Sequence, residues 1–150
     1  MLRLKASQIA EQTMKKGGNC CEAVLAAANA VWGLNLDEDV LASAVFFEEG
    51  MNSGCTCGAL VGMIMVSGIL HKKRSHPLGE MLPKRLHDRF KEEFGSTCCR
   101  VILNRRPILQ KMRSKAACIA LTSRAAAMLA EEWEGMGDDQ KTGICNNSNT

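Results

Sequence analysis

The chain is 150 residues long and 46% apolar, enough for one domain with a core and too short for two comfortable ones. Charged residues at 23% beside that apolar fraction exclude wholesale disorder and fibrous folds, and a net charge of +3 argues by itself for neither nucleic acid nor membrane. Eight cysteines stand out. In a secreted chain an even count suggests bridges, but the opening MLRLKASQIAEQ carries Gln8, Glu11 and Gln12 where a signal peptide is greasy. The expectation is a reducing cytoplasm, where many cysteines point to metal, cluster or redox chemistry.

In chain order, Ser7 to Lys16 reads as a short polar helix stopped by Gly17-Gly18. Asn19 is placed to cap the next, CCEAVLAAANAVWGL, whose apolar positions recur at helical spacing up to Gly33. Asp37 to Glu49 reads as a third helix with an acidic start. Met51 to Leu70 is an uncharged run of twenty residues, yet Asn52, Ser53 and Thr56 make its first third polar. The remaining GALVGMIMVSGIL has the length of a buried core helix rather than a membrane span. Glycines 54, 58 and 62 form a small-residue ridge that admits a close neighbour.

Leu78 to Phe94 reads as a helix with Pro83 in its first turn and Gly95 as its stop. Ser96-Thr97 is expected to cap a short helix through Leu103, and Ser114 a last one through about Trp133. Nothing alternates like a strand, so the expected fold is all-α, a compact single-domain bundle of about six helices over 1–134. Residues 135–150 are polar and turn-rich, and are expected to be a flexible tail holding Cys145. His71, His76 and His87 are expected to be solvated, Met63 and Met65 to be core, and Trp32 and Trp133 to anchor packing.

Residues 71–115 hold thirteen Lys or Arg against four acids, net +9, while the remainder is net −6. Solvated helix faces explain this most simply; a docking face for an acidic redox partner is the functional alternative. Nucleic acid is not expected, because Phe90 and Phe94 are the stretch's only aromatics. Alanine-rich helix faces leave room for a homo-oligomer.

Four cysteines sit at predicted helix starts: Cys20 after Asn19, Cys57 after Thr56, and Cys98-Cys99 after Ser96-Thr97. Cys118 lies one turn into the last helix. Free amides at a helix start lower a thiol's pKa and favour thiolate, and Arg100 would add to this beside Cys99. There is no C-x-x-C, only the C-x-C of Cys55 and Cys57, so local zinc, thioredoxin, ferredoxin and c-type haem spacings are absent. If the cysteines act together, the fold must gather them.

These residues carry a resemblance. CGALVG at 57–62 resembles the Cys-Gly-Ala-x-x-Gly signature of the C_GCAxxG_C_C family, redox-active proteins of about this length with four characteristic cysteines. GGNCCEAVLAA, FGSTCCRVIL and CIALTSRAAAMLAE are similar to its other segments, so the likeness covers roughly residues 7–133. It implies that the family cysteines are Cys20, Cys57, Cys99 and Cys118, with Gly58, Gly62 and Arg100 in support and Cys21, Cys55 and Cys98 as accessory thiols. Related segments of split-Soret cytochromes imply that the four hold a two-iron iron–sulfur cluster; this chain lacks the haem sites. Where relatives are glycine-rich before the signature, this chain has VFFEEGMNSG.

Three functions follow as expectations. The first is a metal-binding electron-transfer protein with a [2Fe-2S] cluster on four thiolates, rather than an enzyme with a substrate pocket. The second is a metal-free thiol–disulfide redox protein or sensor, and the third a structural zinc module.

Overall fold

The computed structural model of the chain describes residues 1–105 and 114–141. Among them are seven α-helices and no strand, the all-α fold the sequence predicts: α1 (Leu2–Lys15), α2 (Cys20–Trp32), α3 (Glu38–Ala42), α4 (Gly58–Arg74), α5 (Leu82–Phe94), α6 (Cys99–Asn104) and α7 (Ser114–Lys141). The side-chain cap expected at Ser114 and the position of Cys145 lie outside what is described.

Asn19 closes a capping box at the start of α2. Its Oδ1 accepts from the Glu22 amide at 2.9 Å, and the Glu22 carboxylate accepts from the Asn19 amide at 2.7 Å, an arrangement that contributes about 1 kcal/mol. Gly33, left-handed at φ +58°, ends the helix. Asp37 caps α3 through the Val40 amide at 3.0 Å, but that helix covers Glu38–Ala42 and not Asp37 to Glu49. The Asn19 amide nitrogen, itself buried, donates to the carbonyls of Ala44 and Val45 at 3.1 and 3.0 Å. A continuing helix would need those two acceptors.

Two packed zones meet along α2 and α7. In one, Ala6 and Ala10 of α1 close on Ala23 and Ala27 of α2 and on Ala126 and Ala130 of α7, and the small side chains let the three backbones approach. The Ser7 and Ser123 hydroxyls bond at 2.6 Å across the α1–α7 seam. The other is larger and centres on Leu60, Met63, Val66 and Leu70 of α4, against Val24 and Leu25 of α2, Leu86 and Phe90 of α5 and Met128 of α7. Removing one such Leu or Phe side chain costs about 2–5 kcal/mol.

The last helix runs to Lys141 instead of ending near Trp133. Met136, fully buried in the larger core, holds it past Gly135 and Gly137; a helix glycine costs only about 1 kcal/mol. Among the described residues, several basic side chains of this stretch and Arg124 beyond it are occupied within the molecule. Arg85 and Arg89 of α5 bond the Glu132 carboxylate of α7, each at 2.9 Å, and Arg89 also pairs with Glu131. Arg124 bonds Glu93 at 2.6 Å and Glu131 at 3.1 Å. Lys73 and Arg74 donate to the Leu34 and Trp32 carbonyls at the end of α2. His76 is not simply solvated: it accepts from the Leu78 amide at 3.0 Å, and its ring packs 5.5 Å from Trp133. No helix among the described residues is long and apolar enough to cross a membrane, in keeping with the polar first third of 51–70.

Candidate redox site

The signature residues are explained by the meeting of α2 and α4. Cys57 is the N-cap of α4 and is buried. A Cβ on Gly58 would lie 2.0 Å from the Phe47 carbonyl oxygen and 2.4 Å from Cys20 Sγ, so only glycine fits there. One turn on, a Cβ on Gly62 would meet Val24 Cβ at 2.9 Å and the Cys21 carbonyl at 3.1 Å. Both glycines are therefore approach points for α2. Gly54, the third of the expected ridge, lies before α4, left-handed at φ +83°, against the Arg100 side chain.

Cys20 is the first residue of α2, and its Sγ donates to the Phe47 carbonyl at 3.6 Å. Burial comes first among the influences on it, and the charges of Cys57, Cys21 and Cys118 add to it, pushing the thiol up to about 12. Cys57 is also raised, by burial and then by Cys118, while the Ala59 and Leu60 amides pull the other way. Cys20, Cys57 and Cys118 therefore lie within one another's fields. The helix starts of α2 and α4 do favour thiolate, as expected, but burial outweighs them, and Cys20 and Cys57 are raised.

Cys118, half-buried on α7, shares with Cys20 a cavity of about 270 Å³ whose wall includes Glu48, Glu49 and Lys115. A groove of about 520 Å³ between α1 and α7 holds no cysteine. Cys99 is the first residue of α6. Its segment is docked against the signature, since the Cys57 amide donates to the Thr97 carbonyl at 2.8 Å. Cys21 points into the larger core, 3.9 Å from the Met65 sulfur; burial and then Glu22 push it up to about 12.

Two of the cysteines expected as accessory, Cys55 and Cys98, are joined in a disulfide. The cap expected of Ser96-Thr97 is also displaced. Cys98 is the N-cap of α6, and Ser96 Oγ accepts from the Cys98 amide at 3.1 Å. Arg100, expected to favour the Cys99 thiolate, instead sends its guanidinium to the Ser53 carbonyl at 2.6 Å.

The turn before the signature went unread in the sequence. Glu49, Met51 and Asn52 are all left-handed, with φ of 49°, 59° and 56°, a conformation costing about 1–2 kcal/mol for each non-glycine residue. Its bonds run from the Asn52 amide to the Glu48 carbonyl, from Gly54 to Glu49 and from Cys55 to Gly50, at 2.9, 3.1 and 3.2 Å.

The donor set suits a soft metal, because buried thiols that repel one another as thiolates are relieved by a cation. Among the described residues, however, no three His, Cys, Asp or Glu stand ready-grouped to hold a metal ion. A family model described as "Putative redox-active protein (C_GCAxxG_C_C)" matches residues 18–132. No curated protein and no solved structure is significantly similar to the chain.

Proposed function

Because the chain belongs to the C_GCAxxG_C_C redox-active family, we propose that it is a small electron-transfer protein in which Cys20, Cys57, Cys99 and Cys118 hold an iron–sulfur cluster of the [2Fe-2S] type. A redox role follows from the family itself. The observation that carries the finer reading is the distribution of sulfur. The disulfide takes Cys55 and Cys98 and leaves all four family positions outside that bond, three of them in one another's fields.

When bound, such a cluster supplies one-electron chemistry. The chain's own part is to supply the thiols and to exclude water around them. Gly58 and Gly62 bring α2 and α4 close enough to bury Cys57 and much of Cys20. The Ala59 and Leu60 amides favour negative charge on the Cys57 sulfur. Four thiolates would close the coordination, which leaves no position for a substrate.

The test is metal, acid-labile sulfide and visible absorption of anaerobically purified protein, with Cys57→Ser alongside. The expected result is about two irons and two sulfides per chain, lost in the variant. Protein that stays colourless after anaerobic iron and sulfide reconstitution overturns the reading. Stoichiometric zinc in protein from the native host would replace it with a structural zinc module.

A metal-free thiol–disulfide protein is the second reading. It is favoured by the Cys55–Cys98 bond and by the lack of a ready metal group among the described residues. It predicts one reversible disulfide pair among the family cysteines in protein that binds no metal.

A further inference from the structure

The Cys55–Cys98 disulfide lies outside the four family positions, yet it is fastened to the site from both sides. Cys55 is two residues before Cys57, and Cys98 immediately precedes Cys99. Through Cys55 the bond holds the end of the left-handed turn, and the start of that turn carries Glu48 and Glu49, which wall the cavity shared by Cys20 and Cys118. The preceding residue, Phe47, supplies the carbonyl that accepts from Cys20 Sγ.

We propose that this disulfide is a redox latch: a dithiol opens it by exchange, the left-handed turn then relaxes, and Cys20 and Cys118 become accessible. The proposal rests on the reading that those two thiols belong to the working site, but not on what they hold.

Strained left-handed residues persist only where their surroundings over-determine them. Three hydrogen bonds close the turn upon itself, and these move with it. Among the described residues, the disulfide and the bond from Arg100, an exposed side chain, to the Ser53 carbonyl tie it to the α6 segment. An exposed hydrogen bond has a small net worth, so the covalent tie is the one that fixes the turn. The Cys57–Thr97 backbone bond lies on the other side of Cys55 and keeps α4 docked when the disulfide opens.

The exchange balances. A thiolate of the dithiol attacks one sulfur of the bond, which breaks as a mixed disulfide forms. The second thiol of the dithiol displaces the remaining cysteine. The dithiol leaves as a disulfide, and two electrons and two protons end on Cys55 and Cys98. Both cysteines are partly exposed, so the attacking thiolate has a path.

The experiment uses the full chain, freed of metal by a chelator, in three forms: with the disulfide intact, after dithiothreitol treatment and desalting, and as the Cys55→Ser/Cys98→Ser double variant. Each is pulsed with iodoacetamide, and labelling of Cys20 and Cys118 is followed by peptide mass while circular dichroism reports helix content. The latch predicts labelling about tenfold faster in the two opened forms, at unchanged helicity. Equal rates in all three overturn it, as does a peptide map of the oxidised protein with no Cys55–Cys98 linkage. Loss of helicity in the dithiothreitol-treated chain also overturns it, because the bond is then a staple. If only the double variant unfolds, the dithiothreitol arm decides. Iron and sulfide analysis is separate, so a failed latch and a failed cluster assignment give different results.

Discussion

Where α5 meets α7, Arg89 and Arg124 reach carboxylates of opposite charge, and each is about a third exposed while still paired. At the thiol mouth, under α2 and α4, like faces like: burial raises the pKa of Cys20 and Cys57, and charge on the neighbouring Cys118 raises both further. The first region has its polar groups mutually satisfied, which is what a stabilising seam needs. The second holds groups whose charged forms are disfavoured until something else arrives, which is where function is expected.

The largest effect expected on this contrast comes from Gly58→Ala. Its Cβ would fall on a backbone carbonyl and on Cys20 Sγ at once, so thermal unfolding should register a loss of about 3 kcal/mol or more. Gly62→Ala, which meets the Val24 side chain at 2.9 Å, should lose less.

Next comes Glu131→Gln at the paired seam, with a loss of about 1–2 kcal/mol in denaturant melts at neutral pH. The Arg89 and Arg124 guanidinium groups hold the Glu131 carboxyl below its ordinary 4.5. Its stabilising contribution is therefore complete above that pH and lost as the pH falls through the lower folded value. The variant should show a flatter acid limb.

The thiol end should fail in the opposite direction. Unfolded cysteines lose their protons near 9.0, while folded Cys20 and Cys21 keep theirs to about 12. The unfolded chain therefore binds fewer protons between those values, and the stability of reduced, metal-free protein should fall as pH rises above 9.0. Unfolding by circular dichroism should register this, with a shallower slope in Cys21→Ala. Smallest of all is Lys84→Ala: its pairing with Asp88 is exposed, and melts should show no resolvable change.

How much of this was legible in the sequence depends on the range of the interactions. The cap at Asn19, the stops at Gly33 and Gly95 and the small-residue approach at Gly58 and Gly62 are local signals, and the structure bears them out. The α3 end was not legible, because the Asn19 side chain removes its acceptors from a distance in sequence. The run of α7 past Trp133 was not legible in the polar, turn-rich sequence from Gly135, since burial of Met136 is a tertiary fact. The Cys55–Cys98 pairing has no spacing rule, and of the left-handed Glu49, Met51 and Asn52 only the asparagine is a residue type that favours that conformation. Only three-dimensional placement could reveal that Arg85 and Arg89 of the net +9 stretch pair with carboxylates of α7.

Asn19 also restricts what its position can be. Ser, Thr or Asp can serve as well at an ordinary helix start. Here the same side chain must accept from Glu22 with its oxygen and give two protons to the carbonyls of Ala44 and Val45 with its nitrogen. Aspartate offers no proton and would set a negative charge against two carbonyl dipoles; serine has one proton for two acceptors. The usual list of interchangeable caps thus shrinks to a single amide, one that ties the helix presenting Cys20 to the loop leading to Phe47.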